Sequence, residues 1–295
     1  MRAVCTMAVL ALSACASIPV LEPEGASLLE SAETPVIAVR NIAVPSEDLF
    51  DVAATLTAAK TAYDNGDYAQ ALAGFNTVIS ADKDNEAALL GFGNAALALG
   101  KGAAALRAFQ RLKPDTAAAF SGLVLAEIIA RKSADIELRL NEALERDQSD
   151  PRLWNALGRY FDNQNRPLLA QDNYLKAIAT GRASAGAINN LGMSYLMAGR
   201  RQDALAKFEQ ALSMQPDNQL YDNNRRLVLA LSHNYAQATH NLPDHRAADI
   251  LNDAGYIAKM QGDRVAAQQL FEAAIEASPR YHSVAMENLS SLTSP

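Results

Sequence analysis

The chain has 295 residues, a formal charge of -7, and 49 % hydrophobic against 20 % charged side chains, which suits a globular protein able to bury a core and not a disordered one. Aromatic residues are only 6 %, and the Ala- and Leu-rich balance favours packed helices over strands. The acidic balance, with a pI near 5.2, argues against a nucleic-acid binder, and the only two cysteines, Cys5 and Cys15, leave no disulfide or cysteine metal site for the body of the chain.

Arg2 precedes an apolar run, Ala3 to Leu12, about as long as a signal-peptide core and too short to span a bilayer as a helix. The run ends in Leu12-Ser13-Ala14-Cys15, which resembles a bacterial lipobox. That resemblance implies a signal peptide over 1–14 and lipidation of Cys15, the thiol being the group that carries the lipid. Several acyl chains, at about 0.8 kcal/mol per buried methylene, make a lasting anchor where one chain is reversible. Ala16 follows, not Asp, so by the enteric sorting rule the resemblance favours the outer membrane, with the anchor facing the periplasm. Residues 15–47 hold Pro19, Pro23, Pro35 and Pro45 without a sustained period and read as a tether. Fully extended, such a segment reaches on the order of 100 Å.

The body, 48–295, repeats itself. Ala71 and Ala105, Phe75 and Phe109, Gly158 and Gly192, Ala170 and Ala204, and Tyr174 and Phe208 are each 34 residues apart. Gly192 to Gly255 and Phe208 to Phe271 each span 63 residues, a gap that hides one irregular unit. This period with these residue types resembles the tetratricopeptide repeat. It implies an all-α, right-handed solenoid of about seven helix pairs, with a helix from Tyr281 to Leu292 capping the last pair. Small residues such as Gly192, Ala204 and Ala211 are expected where the helices of a pair touch, and Leu191, Tyr195 and Phe208 between units. Gly199 falls in a turn, Pro167 at the first turn of a second helix, and Pro216 after a helix end. Two units depart from the pattern: 117–150 lacks the Gly and aromatic at their places, and 219–247 is shortened around Asn241-Leu242-Pro243-Asp244.

No catalytic constellation accompanies the repeats. His233, His240, His245 and His282 lack metal spacing, and Gly91-Phe92-Gly93 falls inside a predicted helix, where a dinucleotide fingerprint needs a strand before it. No nucleophile stands with a base. The chain reads as a non-enzyme without cofactor or metal.

First helices of such units line the inner face of an array. Asn155, Asn189 and Asn223 recur every 34 residues, and Asn252 holds the same place in the last unit. A row of amides, each both donor and acceptor, is expected there to hold an extended peptide backbone. Arg152, Arg159, Asp162, Met193, Leu196, Met197, Tyr256, Lys259 and Met260 occupy other expected groove positions, the arginines suited to a carboxylate and the methionines to varied apolar partners.

The stretch Asn189-Asn190-Leu191-Gly192-Met193-Ser194-Tyr195-Leu196-Met197-Ala198-Gly199-Arg200, the helix Asn224 to Leu231, Asn241-Leu242-Pro243 and Ala247-Ala248 together resemble the tight-adherence (Tad, or Flp) pilus assembly lipoproteins of the TadD family. The resemblance implies a scaffold at the outer membrane that binds a protein of the pilus or secretin machinery. An adaptor for periplasmic hydrolases or proteases, or for outer-membrane protein insertion, is the alternative.

Overall fold

The computed structural model describes residues 51–112, 116–278 and 283–293. The signal peptide, Cys15 and the tether therefore lie outside the described residues, as do Tyr281 and His282. Among the described residues there are fifteen helices and no strand. In chain order they are seven successive twos: α1 (Val52–Asp64) and α2 (Tyr68–Ala81), α3 (Glu86–Ala98) and α4 (Gly102–Arg111), α5 (Ala117–Ile129) and α6 (Ile136–Arg146), α7 (Pro151–Asn163) and α8 (Pro167–Ala179), α9 (Ala185–Met197) and α10 (Arg201–Met214), α11 (Gln219–Leu231) and α12 (Tyr235–Ala238), and α13 (Asp244–Met260) and α14 (Arg264–Ala277), of which all but α5 and α6 pack against each other within one compact unit. A fifteenth helix, α15 (Ser283–Thr293), follows. The chain divides into two compact units between Ser133 and Ala134.

Two local signals recur along both units. The first helix of each of the first six pairs opens on a side chain that accepts hydrogen bonds from the free N–H groups of its first turn: Asp51, Asn85, Thr116, Asp150, Ser184 and Asn218. The turn inside each of the seven pairs contains one residue with positive φ: Gly66, Gly100, Arg131, Asn165, Gly199, His233 and Gly262. The irregular unit 117–150 keeps both signals, at Thr116 and Arg131, so its helices start and turn in register although its core residues have changed.

Inside the pairs, an aromatic ring of the second helix lies against a glycine of the first. A Cβ built on Gly192 would sit 2.7 Å from the Phe208 ring, and on Gly158 and Gly255 2.6 Å from Tyr174 and Phe271. Phe208 thus packs within its own pair, where it was expected between units. Tyr174, Phe208 and Phe271 are at most 1 % exposed. Pro167 opens α8 and Gly199 has a φ of +76° in its turn, both as expected.

In the N-terminal unit α1 touches α3 and α3 touches α5. In the C-terminal unit α7 touches α9, α9 touches α11, α11 touches α13 and α13 touches α15. Second helices of successive pairs show no such packing among the described residues. First helices that adjoin while second helices stand apart bend each row toward the first helices, which puts them on the hollow side.

The shortened unit has a consequence of its own. Its second helix, α12, is a single turn, so the pairs on either side meet across it. Gln261, at the end of α13, donates to the backbone carbonyl of Leu196 in α9 at 2.6 Å, and Arg201 of α10 lies 3.9 Å from Asp263 before α14. The capping helix α15 buries Ala285 and Leu292 and is tied down by Lys259 to Ser291 (2.7 Å) and by Arg264 to the carbonyl of Leu292.

Candidate partner-binding groove

The hollow face of the C-terminal unit is built from α7, α9, α11 and α13, and the asparagines predicted for it are there in register. Their amides do other work than expected. Asn190 of α9 donates to Asn155 of α7 at 3.0 Å, Asn224 of α11 donates to Asn189 of α9 at 2.8 Å, and Asn288 of α15 donates to Asn252 of α13 at 2.9 Å. Each rung runs from the sixth position of one repeat to the fifth position of the repeat before it. Asn189 is 2 % exposed and Asn252 8 %. Both are buried between helices, against the expectation of a free amide row for a peptide backbone. An amide pair in a dry helix interface satisfies two polar groups that would otherwise stand unpartnered, so these side chains join repeats. Leu196, also expected in the groove, is fully buried.

One rung is different. At the α11–α13 junction the sixth position is Asp253, not Asn. Asn223 accepts there from Arg246 at 3.3 Å. Asn224 donates to Asn189, yet its own Oδ1 is buried and accepts no hydrogen bond. A cavity of about 500 Å³ opens at this junction, lined by Asn223, Asn224, Leu227, Arg246, Asp249 and Asp253 among others. Burial and the neighbouring Asp249 push the Asp253 carboxyl up to about 6 against the pull of Asn252 and Arg246. The remaining charges of α11 are engaged with one another: Asp222 pairs with Arg225 and Arg226, both at 2.6 Å.

The two arginines predicted for the groove diverge. Arg152 is held by Asp150, the capping residue of its own helix, at 2.7 Å. Burial opposes the Asp150 charge, but Arg152 outweighs it and holds the carboxyl below its ordinary value. Arg159 makes no hydrogen bond or ion pair among the described residues, and burial lowers the pKa of its guanidinium. Three residues on, Asp162 accepts from Tyr174 (2.9 Å) and from Ser194 of α9 (2.8 Å). Burial raises Asp162 despite both bonds. Met193 and Tyr256 are half-buried on the same helices, Met197 and Met260 are exposed, and Lys259 is drawn to Ser291. Among the described residues no three His, Cys, Asp or Glu side chains are grouped to hold a metal ion.

The repeats match known families only in part of the chain. Tetratricopeptide-repeat profiles match residues 62–124 and 185–218. No curated protein matches. Among solved structures, a thermophilic repeat protein of Thermus thermophilus aligns with a TM-score of 0.50 at 20 % identity, over 61 % of this chain and 99 % of its own. The APC/C hetero-tetramer Cut9–Hcn1 aligns at 0.55 and 15 % identity, over 84 % of this chain and 50 % of that one. Human IFIT1, a dimer with m7Gppp-AAAA, aligns at 0.53 and 18 % identity, over 76 % of this chain and 58 % of its own. At such identities the likeness is one of fold. With a matching profile in each compact unit, the chain carries tetratricopeptide repeats at 62–124 and 185–218, and its described helices have the tetratricopeptide-repeat fold.

Proposed function

We propose that this protein is a non-catalytic assembly factor that captures a segment of a protein partner on the hollow face of α7 to α13. Tetratricopeptide repeats generally mediate protein–protein interaction, and the observation that carries the reading here is Arg159. A mostly buried guanidinium with no hydrogen bond or ion pair among the described residues is a poor way to stabilise a fold and a good way to hold an acidic or carboxylate group. Cys15 carries the lipid in this reading, 15–47 tethers the body, and the anchor lies in the outer membrane facing the periplasm. The resemblance around Asn189 to Arg200 supports a partner in Tad-type pilus or secretin assembly, with neither nucleic acid nor cofactor involved. An adaptor for periplasmic hydrolases or proteases, or for outer-membrane protein insertion, is the second reading, favoured if the partner captured belongs to that class.

The test is crosslinking in the native envelope from photoreactive residues placed at Met193 and Tyr256, with identification by mass spectrometry. A pilus or secretin subunit at both positions, reduced in Arg159→Glu, supports the proposal. Recovery of no protein at either position refutes it. Cys15→Ser is expected to abolish acylation by labelled palmitate, and retained label refutes the anchor.

A further inference from the structure

The shortened repeat draws three helix ends together within the C-terminal unit. Gln261, one residue past Met260 of α13, donates through Nε2 to the carbonyl of Leu196, one residue before Met197 of α9, at 2.6 Å. Between them α11 ends at Leu231, whose carbonyl accepts from Arg201 at 2.7 Å. Leu196 and Leu231 are fully buried at this junction, yet Met197 is 37 % and Met260 56 % exposed. An exposed, flexible thioether side chain adapts to varied apolar surfaces. Arg159 stands on α7, next to α9. Asn190 of α9 donates to Asn155 of α7 at 3.0 Å, and Ser194 donates to Asp162 at 2.8 Å, so the two helices run side by side in the same direction. Asp162 is taken up by the hydroxyls of Ser194 and Tyr174, while Arg159 makes no hydrogen bond or ion pair among the described residues.

We propose that the hollow face selects an extended partner segment with an acidic side chain about four residues from a large apolar one, the acid on Arg159 and the apolar side chain on Met197 and Met260. The proposal rests on the reading of that face as a partner groove and names the segment it takes. Arg159 comes three residues before Asp162 and Met197 three residues after Ser194, which sets them about 9 Å apart along the helices at roughly 1.5 Å per residue. Packed helices lie roughly 8–10 Å apart, so the two places are separated by about 13 Å. Four residues of extended chain, at about 3.3 Å each, span that distance. A carboxylate meets a guanidinium in two parallel hydrogen bonds and brings the opposite charge that the described residues do not give Arg159. An apolar side chain seated on the two methionines takes their exposed surface out of water.

The purified chain, with its methionine methyl groups labelled, is to be titrated with acetyl-Glu-Ser-Thr-Ser-Leu-amide and with acetyl-Leu-Ser-Thr-Ser-Glu-amide, following the Met197 and Met260 methyl resonances by NMR. The expected result is a saturable shift at both methionines with at least one of the two peptides, weakened by added salt. Binding should fall about tenfold when Gln replaces Glu in the peptide, and by a similar factor when Ala replaces Leu. In Arg159→Gln the Glu and Gln peptides should bind alike, an outcome that a purely structural role for Arg159 does not predict. Met260→Ala, at an exposed position, should weaken binding without moving the melting temperature. Equal binding of the Glu and Gln peptides to the wild-type chain, shifts confined to the exposed Met214 and Met286, or no shift at millimolar peptide overturns the proposal. So do methyl shifts that grow with protein concentration in the absence of peptide, which mean that a second copy fills the site. If the peptides fail while Met193 still crosslinks to a pilus or secretin subunit in native envelopes, the motif falls and the groove stands; if neither Met193 nor Tyr256 crosslinks to anything, both fall.

Discussion

At the scale of single residues, the repeat is held by backbone geometry in its turns and by ring-on-glycine contacts in its pairs. Four of the seven turns use glycine at positive φ, but Arg131, Asn165 and His233 adopt φ of 54°, 56° and 60°. A left-handed backbone costs a residue with a Cβ about 1–2 kcal/mol, partly offset by the greater unfolded-state entropy of glycine. Arg131→Gly and His233→Gly are thus expected to stabilise the protein by about 0.5–1 kcal/mol, seen as a higher urea midpoint with an unchanged slope. Gly192→Ala should act the other way. Its Cβ would meet Phe208 at 2.7 Å in a core with no room to give, at a cost of about 1–3 kcal/mol. Phe208→Leu in the same chain should recover part of that loss, because the smaller side chain vacates the contact.

At the scale of elements, the amide rungs fasten one first helix to the next. Asn189→Ala leaves the buried Asn224 with neither of its polar atoms partnered, and is expected to cost about 1–3 kcal/mol. Asn223→Ala should cost less, since its amide is half-buried and its donor, Arg246, lines an open cavity that water can enter. Chemical denaturation of the two variants side by side checks the ordering. A larger loss from Asn223 than from Asn189 would show that the rungs are not the fastening.

At the scale of the whole molecule, charge sets how stability follows pH. Asp253 titrates near 6 in the folded protein against 3.8 in an ordinary environment. Between those values the folded state holds more protons than the unfolded state, so this residue adds stability as pH falls through 6 and takes it away as pH rises. Asp150 and Asp222 lie below their ordinary value and act oppositely, losing their contribution only as pH falls below about 4. Wild type minus Asp253→Asn should therefore show a stability difference that shrinks from pH 7 to pH 5. The variant should be more stable at neutral pH by about 1–3 kcal/mol. Thermal melts of both proteins across that range measure it, and parallel curves would contradict the burial of the carboxylate.

Helix pairing was legible because its determinants are local and periodic: small residues and rings at 34-residue spacing, and a turn residue between them. The cap series from Asp51 to Asn218 was equally present in the sequence and marks the start of unit 117–150 even though its core pattern has faded. Periodicity placed Asn155, Asn189 and Asn252 at equivalent positions of their repeats, and each accepts one amide of the same type there. It did not decide whether a fifth-position Asn faces solvent or the next helix, because that depends on how closely successive first helices approach. Nor did it single out Asp253, whose significance is that every neighbouring helix with a rung has Asn where α13 has Asp. The sequence by itself determined the helices, their register and their small-on-large packing, since each of these is set by residues a few positions or one repeat apart. Only the tertiary structure decided which polar groups were used up in joining repeats and which, like Arg159, make no hydrogen bond or ion pair among the described residues, because that balance depends on distances between helices that sequence spacing does not encode.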